Sequence, residues 1–277
     1  MKIDAHQHFW QYSPTTHSWI TPAMAVLQRH YLPQDLEENL KKCGFSGCVA
    51  VQAAQTEAET EFLLNLAAAY SFIKGVVGWV DLRAKNAPER IASFAQNPLL
   101  KGLRHVVQDE PDDLFLVQPA FLRGISLLQP LGLTYDILIF PRHLPVAAQF
   151  VEQFPEQQFV LDHLAKPFIK KATLQPWAEN LKKLAAYPNV SAKLSGLVTE
   201  ADWDNWQPQD LKPYLDIALE AFGSERLLIG SDWPVCRLAG AYDQVMQVVI
   251  DFIAKLSPTE QAAIMGNNAV RFYNLKM

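Results

Sequence analysis

Residues 47–80 read GCVAVQAAQTEAETEFLLNLAAAYSFIKGVVGWV and contain two short apolar runs on either side of a longer segment with helical spacing. The two runs, residues 47–53 and 73–80, are nearly apolar on both faces, as strands of a buried parallel sheet must be. In the segment between them, residues 57–70, apolar side chains recur at the spacing of a helix. The stretch therefore predicts a strand, a helix and a second strand parallel to the first.

The same alternation of strand and helix extends over the rest of the chain. Further strands are predicted at residues 2–6, 101–106, 133–139, 158–163, 190–195 and 226–231, which makes eight in all. This number favours an α/β fold closed into a (β/α)8 TIM barrel over an open doubly wound sheet. No linker, charge block or low-complexity segment divides the sequence, so residues 1–277 are predicted to form a single domain.

Composition excludes several classes of protein. The chain is 49% hydrophobic and 19% charged, with a net charge of −5, so neither disorder nor a nucleic-acid or membrane partner is expected. Three cysteines are too few for a secreted disulfide framework, and no apolar run approaches the ~20 residues that span a bilayer. We therefore expect a cytoplasmic protein, and the sequence leaves open whether it is a monomer or a homo-oligomer.

One segment departs from the regular alternation. Residues 9–32 form a long aromatic stretch after the first strand and include Trp10, Tyr12, Trp19 and Tyr31. Loops that follow barrel strands lie on the catalytic face. This loop is expected to cover the barrel rim, to form a wall or lid over a site, or to do both.

Polar side chains lie at the ends of four predicted strands, where a TIM barrel places its active site. They are His6 and His8 on the first strand, Arg104 on the fourth, His163 on the sixth and Asp232 after the eighth. Alternation puts His6 and His8 on one face, which Asp4 joins if the strand extends that far back. We expect His6, His8, His163 and Asp232 to meet in one pocket, where the imidazoles could hold a metal or polarise a carbonyl.

Three neighbouring polar residues have a structural interpretation. His105 and Asp162 have the opposite parity to Arg104 and His163, so His105 is expected to face the helical shell and Asp162 to satisfy backbone or helix groups. Lys193 lies within the seventh strand, where a buried ion pair is expected, although an inward lysine could also reach a substrate.

The segments around these residues resemble the amidohydrolase superfamily and, within it, the sugar lactonase branch of L-fuconolactonase-like and L-rhamnonolactonase-like proteins. They span the chain from the first strand to the last and read IDAHQHFW (3–10), GVVGWVDL (75–82), GLRH (102–105), QDEP (108–111), VLDHLAKP (160–167), KLSGL (193–197) and GSDWP (230–234). The resemblance implies a hydrolase of carbohydrate catabolism. Its substrate would be a small-molecule sugar lactone such as L-fuconolactone, opened to the sugar acid.

Lactone opening needs a base for water and positive charge for the carbonyl oxygen. Asp232 is the predicted base, with His163 and Arg104 as further catalytic residues. One divalent ion, zinc or manganese, would be bound by His6, His8, His163 and Asp232; without a metal, the histidines and Arg104 would polarise the carbonyl directly. The predicted substrate-binding residues are Trp10, Gln52, Trp79, Lys193 and Trp233.

Two differences from other branches of the superfamily bear on the predicted metal site and reaction. Binuclear members place a lysine near the end of the fourth strand, whereas Lys101 lies at its start, so a bridged two-metal centre is not expected. Metal-dependent non-oxidative decarboxylases carry a further histidine near the end of the fifth strand, where this chain reads YDILIF (135–140). Decarboxylation is therefore the less favoured enzymatic alternative, and a noncatalytic lactone-binding barrel is the alternative from another class.

Overall fold

The computed structural model describes residues 1–276 and contains one eight-stranded parallel sheet with the strands in chain order. The strands are β1 (Ile3–Gln7), β2 (Gly47–Val51), β3 (Ile73–Gly78), β4 (Leu100–Val106), β5 (Thr134–Leu138), β6 (Phe159–Leu161), β7 (Val190–Leu194) and β8 (Leu227–Ile229). All eight predicted strands are present. The predicted (β/α)8 architecture is confirmed.

The first and last strands meet just beyond the end of β8. Gln7 and Trp233 form a parallel bridge, the amide of Asp232 donates to the His6 carbonyl at 2.8 Å, and the amide of His8 donates to the Trp233 carbonyl at 2.6 Å. These contacts close the sheet into a barrel. They also bring the polar ends of β1 and β8 side by side.

Helices surround the barrel and follow the strands in turn. They are α1 (Pro33–Lys42), α2 (Glu57–Ala69), α3 (Ala87–Ala95), α4 (Pro119–Ile125), α5 (Leu144–Glu152), α6 (Trp177–Ala185), α7 (Pro208–Phe222), α8 (Tyr242–Ile253), α9 (Pro258–Ala262) and α10 (Asn268–Phe272). Apolar spacing in the sequence predicts one helix over residues 118–130, but α4 ends at Ile125 and a 3₁₀ turn, Gln129–Leu131, follows around Pro130. Proline lacks the amide hydrogen that a continuous helix would need there.

The end of the barrel where the strands begin is closed by apolar packing. Side chains of β1, β2, β3, β6 and β8 form a buried cluster with Tyr273 and Leu275 from the C-terminal segment. Lys101 donates to the Asn274 carbonyl at 2.9 Å in the same region. Lys101 therefore lies at the opposite end from the polar strand ends, as predicted.

Among residues 1–276, none of the helices is both long and apolar enough to cross a lipid bilayer.

Candidate active site

Two histidines at the end of β1 point into the barrel. The β1–β2 register shifts between Asp4 and Gln7, and beyond this irregularity the Nε2 atoms of His6 and His8 lie 3.2 Å apart. Asp4 does not join them, because its carboxylate accepts hydrogen bonds from the Ser231 amide at 2.9 Å and from the Ser231 hydroxyl at 2.6 Å. The expectation that Asp4 shares their face is wrong, because the irregularity breaks simple alternation.

Asp232 follows β8 and brings a carboxylate to these imidazoles. Its φ of 57° is in the left-handed region, and Oδ1 lies 3.2 Å from Nε2 of His8, 3.7 Å from Nε2 of His6 and 3.9 Å from Nε2 of His163. The structure thus brings together the four residues that the sequence placed in one pocket.

A left-handed turn after β6 presents His163. Residues 163–166 have φ values of 53°, 51°, 60° and 52°, although none of them is glycine. Each such residue costs about 1–2 kcal/mol, and the turn is held by a hydrogen bond from the Trp177 indole to the Leu164 carbonyl at 2.7 Å. Strain of this kind is concentrated at functional sites, and here it turns both His163 and Lys166 towards one cavity.

Arg104 is anchored beside the histidines on β4. Its Nη1 donates to Oδ2 of Asp162 at 2.9 Å and lies 3.4 Å from Nε2 of His6, while Nη2 donates to the Gln52 carbonyl. The side chain is only 4% exposed, and its guanidinium is a fixed cation. A fixed positive charge therefore lies next to the imidazoles.

Asp162 belongs to the same buried network. Its Oδ1 lies 3.2 Å from Nδ1 of His6 and 2.9 Å from Nζ of Lys193. The expectation that Asp162 satisfies backbone or helix groups is wrong. Asp162 has the same parity as Val160, which belongs to the buried cluster inside the barrel, and the left-handed turn that begins at His163 brings that neighbour to the same site.

Lys193 lies beneath this network with no exposed surface. Its ammonium pairs with Asp136 and Asp162, and it lies 3.2 Å from Nδ1 of His6. The hydroxyl of Tyr273 donates to Asp136 at 2.8 Å. Lys193 therefore forms the buried ion pairs expected of it, and it is not among the residues that line the cavity described below.

Burial and charge set the protonation states. Burial lowers the pKa of His163 to about 4 and that of His6 well below its ordinary value, so both imidazoles are neutral near pH 7. Burial alone raises the pKa of Asp232, but its interactions with His163, His8 and His6 outweigh it and hold the pKa below the usual range. Asp232 is therefore an ionised carboxylate.

These groups open onto a cavity of about 270 Å³, slightly below the ~300–1,000 Å³ of drug-sized ligand sites. His8, Arg104, His163 and Asp232 line it. Thr16, Ser18 and Trp19 line it as well, so the loop of residues 9–32 both covers the rim and forms a wall. The cavity suits a small, polar ligand.

Two predicted substrate contacts, Trp10 and Trp233, lie behind the cavity wall. Trp10 is 1% exposed, donates from Nε1 to the Arg29 carbonyl at 2.9 Å and packs edge-on against Trp19 at 5.8 Å between ring centroids. Trp233 is 2% exposed and packs edge-on against Tyr31. Both pack against the aromatic loop, and neither is among the residues that line the cavity.

Gln52 and Trp79 also lie outside the cavity lining. Gln52 is fully buried and donates from Nε2 to the Arg104 carbonyl at 3.3 Å. Trp79 donates from Nε1 to Nδ1 of His105 at 3.2 Å, and the His105 ring stacks on Phe115 in the helical shell. In this structure, the side chains of Gln52 and Trp79 each contact a residue of β4.

Trp19, Gln108 and Lys166 also line the cavity, although they were not predicted from the sequence as site residues. Gln108 and Lys166 lie within the segments QDEP (108–111) and VLDHLAKP (160–167), immediately after β4 and β6. Their position in loops that follow barrel strands was a usable signal. Trp19 was hidden among the other aromatic residues of its loop.

The donor atoms fit a divalent cation. His6, His8 and Asp232 offer three buried ligand atoms within 4.8 Å of one another, and Nε2 of His163 lies close by. The His8 Nδ1 atom donates to the Val51 carbonyl at 2.7 Å, which leaves Nε2 with a free lone pair. Imidazole nitrogens with one carboxylate suit zinc, and they also suit other first-row ions.

Comparison with known proteins places these features in a family. The family model described as Amidohydrolase matches residues 3–275. L-fucono-1,5-lactonases from Burkholderia multivorans and Burkholderia ambifaria are 43% and 39% identical to this chain, and each alignment covers 99% of the chain and 96% of the relative. The crystal structure of an amidohydrolase from B. multivorans with bound zinc superposes with a TM-score of 0.97 at 42% identity, covering all of both chains.

Sequence and structure agree over nearly the full length in these comparisons, and the relatives include sugar lactonases, which confirms the resemblance seen in the sequence. The chain belongs to the amidohydrolase family.

Proposed function

We propose that this protein is a lactonase, a hydrolase of carboxylic esters that opens a sugar lactone such as L-fucono-1,5-lactone to its acid. The observation that carries the proposal is the convergence of the Asp232 carboxylate with three imidazoles and Arg104 at one small cavity. The names of the two relatives at 43% and 39% identity supply the substrate class.

Each step of the reaction is assigned to a side chain of this protein. Asp232 takes a proton from water as the water oxygen attacks the lactone carbonyl carbon. The Arg104 guanidinium stabilises the negative charge that develops on the carbonyl oxygen. The bond between the carbonyl carbon and the ring oxygen then breaks, and Asp232 returns its proton to the departing alkoxide.

We also propose one divalent ion as the cofactor, held by His6, His8, His163 and Asp232. When bound, such an ion acts as a Lewis acid on the carbonyl and eases deprotonation of water. The buried network beneath these residues fixes the ring of His6 from its far side, through Asp162 and Lys193.

Hydrolysis of a lactone panel tests the proposal. We expect acid release from L-fucono-, L-rhamnono-, L-galactono- or D-galactono-lactone, followed with a pH indicator, to be accelerated far above the spontaneous rate. Absence of acceleration on every lactone would contradict the proposal. Tight lactone binding without turnover would instead identify a noncatalytic binding barrel.

The residues near the end of β5 do not support decarboxylation as the activity. The histidine nearest its end in the described chain, His143, lies 2.9 Å from Asp113 and does not line the cavity. We therefore do not propose that activity.

Metal content is the next prediction. We expect the purified protein to bind about one equivalent of zinc or manganese, and His8→Ala to lower this affinity strongly because it removes a ligand. Metal analysis after chelation, followed by re-assay, provides the measurement. Full turnover by a metal-free sample would contradict the cofactor proposal and leave Arg104 and the histidines as the direct electrophiles.

Gly196 provides a test of the site's geometry. It has a φ of 62°, and a Cβ there would lie 2.4 Å from Nδ1 of His163 and 3.0 Å from Oδ2 of Asp232. We expect Gly196→Ala to displace these side chains and lower lactonase kcat/KM by roughly 10²-fold.

The matched control is Gly223→Ala. Gly223 has a φ of 66°, but a Cβ there would meet nothing within 4 Å. Both variants place alanine at a positive φ, so equal losses of activity in the two would contradict the crowding argument.

A further inference from the structure

Three buried polar atoms of cavity-lining residues have no hydrogen-bond partner within residues 1–276. They are Nε1 of Trp19, Nε of Arg104 and Oε1 of Gln108. A buried polar atom without a partner is costly, and such atoms are rare in folded proteins. Their concentration around one cavity indicates that a ligand supplies the missing partners.

Trp19 is held in place by its aromatic neighbour. Its ring meets Trp10 at an interplanar angle of 90°, and the Trp10 indole is itself fixed by the Arg29 carbonyl. The Trp19 indole N–H is therefore a positioned donor that the protein leaves free.

Gln108 is presented from another part of the barrel. It lies in the 3₁₀ turn Val107–Asp109 after β4, and its backbone carbonyl accepts a hydrogen bond from Arg142 at 3.3 Å. The side-chain oxygen remains free as an acceptor. The Trp19 donor and the Gln108 acceptor therefore lie in two different loops, whereas His163 and Asp232 lie at the ends of β6 and β8.

A hydroxyl group can accept from an indole N–H and also donate to an amide oxygen, whereas a ring methylene can do neither. We infer that Trp19 and Gln108 are specificity-determining residues that bind the ring hydroxyls of the lactone. This inference rests on the proposed function. The third atom, Nε of Arg104, belongs to the guanidinium assigned to the carbonyl end of the substrate.

The test compares L-fucono-1,5-lactone with δ-valerolactone, an unsubstituted six-membered lactone. Trp19→Phe removes the indole N–H and keeps an aromatic ring, and Gln108→Met removes the amide at similar length. Each variant is expected to lower kcat/KM for the fuconolactone about ten- to hundredfold, mainly through KM, with little change for δ-valerolactone. Calorimetric binding of L-fuconate should weaken in parallel.

Trp203→Phe is the matched control, because the Trp203 indole donates to the Thr199 carbonyl at 2.8 Å and the residue does not line the cavity. It should leave the preference between the two lactones unchanged. Equal losses on both lactones, or no loss on either, in variants with wild-type thermal unfolding would overturn the inference while the proposed function stands. A wild-type protein inactive on both lactones would overturn both.

Discussion

Asp232→Asn is expected to lower kcat for lactone hydrolysis by about 10²–10⁴-fold, the usual contribution of a positioned general base. Asparagine has nearly the same shape, but its amide cannot take a proton from water. The Asp232 carboxylate is ionised in a buried site beside three imidazoles. Asp109, the other acidic residue that lines the cavity, is exposed in the turn after β4.

The measurement is steady-state hydrolysis, with circular dichroism to establish that the fold is intact. Ser231→Ala is a useful companion variant, since the Ser231 hydroxyl bonds Asp4 rather than the cavity. It should lose far less activity than Asp232→Asn. An asparagine variant with more than a tenth of wild-type turnover would eliminate Asp232 as the base.

Lys193→Met is expected to have the largest effect on stability. Its ammonium has no exposed surface and pairs with both Asp136 and Asp162. Removing one partner from a buried charge network leaves the others uncompensated and costs about 3–5 kcal/mol. At roughly 2–4 °C per kcal/mol for a domain of comparable size, thermal unfolding should shift downward by about 6–20 °C.

Lys182→Met is the matched control, because Lys182 pairs with Glu220 on the surface with about half of its side chain exposed. Exposed pairs contribute about 0–1 kcal/mol, so the control should unfold within a few degrees of the wild type. Denaturation curves that place Lys193→Met within 1 kcal/mol of wild type would show that the network does not stabilise the fold.

Much of the fold could be predicted because hydrophobic periodicity reports burial directly. Eight apolar runs with helical segments between them are compatible with few architectures, and each run forms a strand in the structure.

The ends of the helices were harder to predict from the sequence. Apolar spacing predicts one helix near residues 258–272, but the chain forms α9, a π-helical segment (Ala263–Asn267) and α10. Gly266 there approaches the Met1 carbonyl so closely that a Cβ would lie 2.3 Å from it, a tertiary contact that local periodicity cannot encode.

The site residues could be predicted where they lie at the ends of predicted strands. His6, His8, His163, Arg104 and Asp232 lie together because a parallel barrel gathers the ends of its strands. Alternation failed between Asp4 and His6, where the register is irregular, and at His163, where a left-handed turn replaces the regular strand. Sequence alone could not place the aromatic side chains, since large aromatic residues next to a site are as often packing as contact.

The closure of the barrel between β1 and β8 has a kinetic consequence. The amide of Asp232 bonds the His6 carbonyl across that junction, so the carboxylate and the first two imidazoles are apposed only when the earliest and latest strands of the polypeptide have joined. During refolding, an intermediate with most of its secondary structure but an open junction would be inactive. Recovery of enzymatic turnover would therefore report the final docking event, separately from the bulk recovery of helices and strands.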